Sequence, residues 1–268
     1  MDAAFSTFLD RALDVARDAA AAAADVIRHH YARGVTAETK ADATPVTIAD
    51  REAEIAIKDV LRAAFPAHAF HGEEFGREGE GDYLWLIDPI DGTKAFVRGY
   101  PMFSTQIALM HRGELVLGVS SAPVYGGAAG ETAWARKGGG AFLDGKPIRV
   151  SAMREFDAGT AISIGNVKTL TRDARWAVLG ELIRRSGRIR GYGDFLHYHL
   201  LASGRIDLVV ESDVNILDIA ALAVIVREAG GVFTTLEGGA LDLNTTGVLA
   251  GTPELHAQAL ALFQAAVT

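Results

Sequence analysis

The sequence predicts a layered α/β protein, and three observations carry that prediction. Helical and extended stretches interleave along all 268 residues. A continuous apolar run, Tyr83-Leu-Trp-Leu-Ile87, has the length and texture of a strand buried on both faces. The segment ILDIAALAVIVREA, residues 216–229, reads as a helix that is apolar almost all round, which must lie between layers rather than on the surface.

Taken in order, Phe5, Leu9, Leu13, Ala16, Ala20, Ala24 and Ile27 form one stripe of an amphipathic helix over 3–32, ending near Gly34. A polar loop follows. Thr47-Ile-Ala-Asp50 then reads as a capping box that opens a second helix through Ile55, Val60 and Leu61 toward Pro66. The buried strand is expected to end at Ile87, with Thr93 to Val97 making a first helical turn. Between about 103 and 150 the texture is β. Ile107–Met110, Leu115–Ser121 and Glu131–Ala135 are aliphatic runs punctuated by Gly113, Gly126-Gly127 and Gly138-Gly139-Gly140. Beyond 150 the expected order is strand 160–165, helices 173–186 and 194–203, strand 206–211, helix 216–229, strands 231–235 and 247–250, and helix 253–266. No linker or repeat interrupts this order. A single domain over 1–268 is expected, with a soft seam between halves near 150.

Composition excludes several function classes. Hydrophobic residues are 49% and charged residues 22%, as in an ordinary globular core. The net charge of −8, from 26 basic and 34 acidic side chains, gives no attraction to nucleic acid or to an anionic membrane. The absence of cysteine removes disulfides, thiolate metal sites and a cysteine nucleophile. The N-terminus lacks the basic start and apolar block of a signal peptide, and no uncharged run reaches about 18 residues. The cytoplasm is the expected location.

Four patterns carry chemistry: Thr47-Ile-Ala-Asp50, Gly72-Glu73-Glu74, Asp88-Pro-Ile-Asp91-Gly-Thr93 and Leu217-Asp-Ile-Ala-Ala221. Asp88 leaves the C-terminal end of a buried strand, where open α/β sheets place ligands. Gly92 allows close backbone approach, and the N–H groups of Gly92 and Thr93 are expected to face a phosphate. Singly, each acid has a plainer reading. Asp91 reads equally as a cap for the helix after it. Asp218 and Asp50 fit the third position of capping boxes led by Asn215 and Thr47. Glu73 and Glu74 read as a solvated loop. Together they point elsewhere, because carboxylates at the end of a buried strand and the start of a buried helix need partners. No arginine accompanies them. Magnesium takes hard oxygen ligands together with substrate phosphate, and such ions can clamp both oxygens of an in-line displacement. Hydrolysis of a small phosphorylated metabolite follows as the expectation, with no covalent nucleophile needed.

At these residues the chain resembles the inositol monophosphatase family of magnesium-dependent phosphatases along essentially its whole length. WLIDPIDGTKAF at 85–96 is similar to that family's first motif, and NILDIAALAVIVREAGG at 215–231 to its second. GEEFG at 72–76, TPVTIAD at 44–50, GGGAFLDGKPIRVS at 138–151 and VLAGTPELHAQAL at 248–260 follow in family order. The resemblance implies an αβαβα sandwich, usually a homodimer, with two or three Mg2+ ions. It makes Glu73, Asp88 and the Ile90 carbonyl ligands of one ion, and Asp88, Asp91 and Asp218 ligands of a second, with Glu73 and water serving a third. Glu73, Thr93 and Asp50 position and activate the attacking water, Asp91, Gly92 and Thr93 contact phosphate, and Glu211 contacts substrate. Two departures stand out: Leu217 where Trp is common, and Ala95 where Asn is frequent. Neither removes a ligand.

Within the family, RGYGDFLHYHLLASGRIDLVVE at 190–211 most resembles the histidinol-phosphate phosphatase branch. Asp194 and Glu211 then become partners of a cationic amino-imidazole substrate, while Asp194 reads equally as a helix N-cap. Inositol-1-phosphate, 3′-phosphoadenosine and fructose-1,6-bisphosphate phosphatases share most of these motifs. A non-catalytic binding module on the same fold is the alternative of another class. His197 and His199, two apart on one helix, cannot face a common ligand. His71 reads as structural, and Lys94 as an exposed surface charge.

Overall fold

The alanine-rich stripe at the N-terminus does form one long helix, α1 (Ala3–Arg33), because Asp2 caps it and Leu9, Ala12, Ala16, Ala19, Ala23 and Ile27 are buried along one side. The structure, a computed structural model, describes residues 2–34, 38–39, 45–127 and 129–267. The polar loop expected after α1, and Thr44 of the TPVTIAD motif, lie largely outside these residues. Within that stretch, the two-residue strands β1 (Glu38–Thr39) and β2 (Pro45–Val46) pair antiparallel. Helix α2 (Ile48–Ala64) starts at the expected capping box: the Thr47 hydroxyl accepts from Ala49 N–H, and Asp50 accepts from Thr47 N–H at 2.7 Å.

An eight-stranded sheet follows. Its members are β3 (Ala69–Gly72), β4 (Gly76–Glu78), β5 (Tyr83–Asp91), β6 (Ser104–His111), β7 (Glu114–Ala122), β8 (Glu131–Arg136), β9 (Ala141–Leu143) and β10 (Lys146–Ile148), with the short α3 (Thr93–Val97) between β5 and β6. They lie in the order β10-β9-β8-β7-β6-β5-β3-β4. Among the described strands of this sheet β3 and β5 form the parallel pair, with Gly72 level with Ile87, so the chain leaves both strands on the same side.

The second half supplies β11 (Ala161–Ile164), a 3-10 turn at Leu170–Arg172, α4 (Arg175–Arg185), β12 (Arg188–Arg190), α5 (Asp194–Ala202), β13 (Leu208–Ser212), α6 (Ile216–Glu228), β14 (Val232–Thr235), β15 (Gly247–Gly251) and α7 (Pro253–Val267). Its five strands lie in the order β12-β11-β13-β15-β14. Three buried clusters separate the layers. One packs α1 and α2 on the outer face of the large sheet. The central one encloses α5 and α6 between the sheets, and the third seals α4 and α7 onto the small sheet. The result is the expected αβαβα sandwich. The strands β3, β4, β9, β10 and β12, three or four residues each, carry too short a pattern to be read from sequence.

Helix α6 is held very close to the large sheet. A Cβ on Gly118 of β7 would overlap the backbone of Ala221. Gly118→Ala is therefore expected to cost roughly 1–3 kcal/mol by overpacking, read as a lower urea midpoint with an unchanged m-value. An unchanged midpoint would show that α6 can retreat freely.

Candidate active site

The site begins with an irregularity in β5. The expected end at Ile87 is wrong: the strand continues to Asp91. Asp88 pairs with Gln106 and Asp91 with Ser104, so three residue steps on β5 face two on β6. In a regular strand, residues three apart point to opposite faces. The extra residue cancels that alternation, and Pro89, which donates no ladder bond, is tolerated at such a bulge. Ile87 and Ile90 consequently both enter the outer core, while Leu84 and Leu86 lie on the inner face with Asp88. Asp91 is thereby turned onto the face of Asp88.

Gly92 follows with φ 89°, and a Cβ there would meet Met102 O at 2.6 Å. Only glycine fits both constraints. Gly92 is the N-cap of α3 and no side chain caps that helix, so the capping alternative for Asp91 falls away. Asp218 arrives from α6, where it closes a capping box with Asn215 at 2.9 Å. Capping occupies one of its oxygens and leaves the other for the site.

Asp88, Asp91 and Asp218 each offer an oxygen within 4.8 Å of the others. Asp88 is 3% exposed, and its Oδ1 has no hydrogen-bond partner among the described residues. A buried carboxylate oxygen without a partner, facing two further acids, is an unstable arrangement unless a cation or protons join it. Burial pushes the Asp88 carboxyl well up, helped by Glu73, Asp91 and Asp218. Burial likewise raises Asp91, with Asp194 and Asp218 adding to it, and moves Asp218 to about 6. Three hard oxygen donors in this state suit a divalent cation such as Mg2+.

Around this triad stand the other predicted residues. Glu73, at the turn between β3 and β4, donates its N–H to Ile87 O at 3.1 Å and acts electrostatically on Asp88 and Asp50. It is not one of the three converging acids. Asp50 is fully buried and serves two partners: Oδ2 accepts from Thr47 N–H and Oγ1, and Oδ1 lies 3.3 Å from the Thr93 hydroxyl. The capping reading was right for Asp50 and incomplete. Thr93 Oγ1 also lies 3.0 Å from the Ile90 carbonyl, so its single hydrogen can serve either acceptor.

A second group of acids adjoins the first. Asp91, Asp194, Glu211 and Asp218 line one small cavity with Asn166 and Tyr198. Asp194 opens α5 at φ 45° without capping it; Gly193 is the N-cap. A non-glycine residue in the left-handed region is a strained position, and such strain concentrates at functional sites. Burial, then Glu211, raises Asp194 to about 6. Glu211 behaves oppositely. Burial works against its ionisation, yet His197 Nε2 at 3.1 Å, Tyr198 OH at 2.8 Å and Asn166 N–H at 3.2 Å hold its pKa below the usual value. Gly165 leaves the notch that its carboxylate fills, since a Cβ there would overlap it.

His197 thus supports Glu211, while His199 bonds Glu131 and Ser120. They serve different partners, as their spacing requires. His71 lies on β3 outside the acidic triad, and Lys94 is exposed. Sequence reasoning missed Glu54, Lys58 and Tyr198, and it singled out His197 without its partner Glu211. Asp50, Glu54 and Lys58 recur at four-residue intervals on a helix face that proves to be buried, and that spacing was the available signal.

Comparison with known proteins identifies the family and the fold. The model of the inositol monophosphatase family matches residues 9–268. A histidinol-phosphatase of Streptomyces coelicolor is 41% identical over 219 residues, covering 75% of this chain and 77% of that protein. One from Mycobacterium tuberculosis is 40% identical over 208 residues, covering 75% and 78%. Among solved structures, an IMPase of Thermotoga maritima superposes with a TM-score of 0.81 at 33% identity, covering 97% of this chain and 98% of its own. An inositol monophosphatase from Anabaena gives 0.82 at 27%, covering 96% and 97%. Among the described residues no helix is long and apolar enough to cross a membrane. The chain belongs to the inositol monophosphatase family and is a phosphoric monoester hydrolase.

Proposed function

We propose that this phosphatase is Mg2+-dependent and hydrolyses L-histidinol phosphate to L-histidinol and phosphate. The observation that carries the substrate reading is the second acidic group. Asp194 and Glu211 share a cavity with Asp91 and Asp218, so an ionised Glu211 lies beside the place where phosphate is expected. An uncharged polyol leaves such a charge uncompensated, whereas an ammonium or imidazolium neutralises it. Histidinol phosphate carries cation and phosphate on one small frame. The histidinol-phosphatase names of relatives at about 40% identity support the same reading.

Glu73, Asp88, Ile90 O, Asp91 and Asp218 are the residues assigned to hold two or three ions. Mg2+ held by these residues would neutralise phosphate charge and make the attacking water more acidic. The chain itself supplies orientation and proton transfer. Asp50, ionised, takes the hydrogen of Thr93 Oγ1 and leaves a hydroxyl lone pair to receive a proton from water. Glu73 is the second acceptor. Backbone N–H groups of Gly92 and Thr93, at the start of α3, complement phosphate oxygens. Glu211, fixed by three donors, orients the cationic end. We further assign a single domain, a homodimer and a cytoplasmic location, the dimer being testable by light scattering of the purified chain.

Phosphate release should be compared for L-histidinol phosphate, inositol 1-phosphate, fructose 1,6-bisphosphate and 3′-phosphoadenosine 5′-phosphate. We expect the highest kcat/KM on histidinol phosphate, abolished by EDTA and restored by Mg2+. Preference for another phosphate ester would remove the substrate assignment and leave the metal chemistry. No metal-dependent turnover on any of them would favour a binding module.

A further inference from the structure

We propose that Glu54 is a positioning residue that, through a buried ion pair with Lys58, fixes the Glu73 turn and so sets the protein's metal affinity; this rests on the assignment of Glu73 as a ligand. Asp50, Glu54 and Lys58 stand at four-residue intervals on α2 and are 0%, 0% and 4% exposed. Acids and lysines are almost never so buried unless paired. Their pairing leads to the catalytic turn.

Glu54 Oε2 accepts from Glu74 N–H at 2.7 Å. Its Oε1 lies 2.6 Å from Lys58 Nζ, which also donates to Glu78 of β4 at 2.8 Å. Arg62, one turn on, reaches Glu78 at 2.6 Å. The Glu54 carboxylate occupies the space above Gly72, where any Cβ would overlap it. Glu73 is therefore clamped on both sides. Its own N–H is tied to Ile87 O, immediately before Asp88, and the next N–H is tied to α2. The same helix carries Asp50, which contacts Thr93. One rigid element thus aligns both groups assigned to the attacking water.

A structural explanation is weak in energetic terms. Replacing a buried ion pair by apolar groups is often neutral or stabilising, whereas breaking one side is costly. Supporting groups around metal ligands, in contrast, typically contribute 10–100-fold to metal affinity. That asymmetry separates the two roles.

The test is Mn2+ binding to the metal-free full chain, followed by the electron paramagnetic resonance of free Mn2+. Variants are Glu54→Leu, which removes the acceptor for Glu74 N–H, the apolar double variant Glu54→Leu/Lys58→Met, and Glu73→Gln. Glu54→Leu should bind Mn2+ about 10–100-fold more weakly. In the double variant Arg62 still satisfies Glu78, so the thermal midpoint should return toward the parent while Mn2+ affinity stays low. Should the single variant fail to fold, the double variant carries the test. Parental affinity in the double variant, with Glu73→Gln weakened, would overturn the positioning role alone. Parental affinity in Glu73→Gln would overturn the assignment of Glu73 as a ligand.

Discussion

Asp91→Asn is expected to lower kcat by about 1,000-fold or more on any substrate the enzyme accepts, without unfolding it. The change keeps the shape of the side chain and removes its charge. It also places an amide group among Asp88 and Asp218, whose oxygens lie within 4.8 Å. A cation held by three carboxylates contributes several kcal/mol to phosphoryl transfer, and about 4 kcal/mol corresponds to three decades of rate. The fold should survive for a specific reason: Asp91 caps no helix, and α3 begins at Gly92 without a side-chain cap. Removing one of three like charges also relieves burial and repulsion that push Asp91 and its neighbours upward. In EDTA, then, the variant should unfold at a higher temperature than the parent. The two measurements are phosphate release at saturating Mg2+ and thermal unfolding with EDTA. Hydrolysis at the parental rate would remove Asp91 from the metal assignment.

The layer order and most central elements were legible because they rest on long patterns. The stripe of α1, the capping box of α2 and the all-round apolar α6 each repeat a signal over many residues. The acidic site was legible for another reason: acids beside buried elements contradict their surroundings unless something joins them. What escaped was geometry that depends on pairing. Nothing in Asp88-Pro-Ile-Asp91 states that β6 will advance only two residues against it. Without that bulge, Asp88 and Asp91 would face opposite layers. Similarly, Glu211 could be named as a substrate acid, but the donors fixing it come from α5 and from the loop after β11. Short edge strands, and the partners of Glu54, depend on contacts as distant along the chain as Lys58 and Glu78.

The stabilisation given by Mg2+ is expected to grow as pH rises from 5 to 8, reaching roughly 5–10 °C in thermal midpoint at pH 8. Burial, followed by neighbouring acids, raises Asp88, Asp91, Asp194 and Asp218 in the folded protein, the last two to about 6. A folded pKa above the unfolded one means that the native state binds more protons over that range. Stability from these groups is therefore full below about pH 4, and is lost as pH rises through 6 and beyond. Moving one carboxyl from 3.8 to about 6 corresponds to roughly 3 kcal/mol, reduced where solvent reaches the group. Half-buried His68 and His71 and buried His256 have pKa values lowered chiefly by desolvation and act oppositely, gaining stability as pH rises toward 6.5. For this reason the absolute midpoint is a poor test, and the difference between Mg2+ and EDTA at each pH is the useful one, because the histidine contribution is common to both. Below pH 5 protons occupy the site and compete with the ion, so the increment should shrink to less than half. In Asp91→Asn it should be small at every pH. A Mg2+ increment that stayed constant from pH 5 to 8 would mean that the ion does not bind at this carboxylate cluster, even if hydrolysis itself required metal.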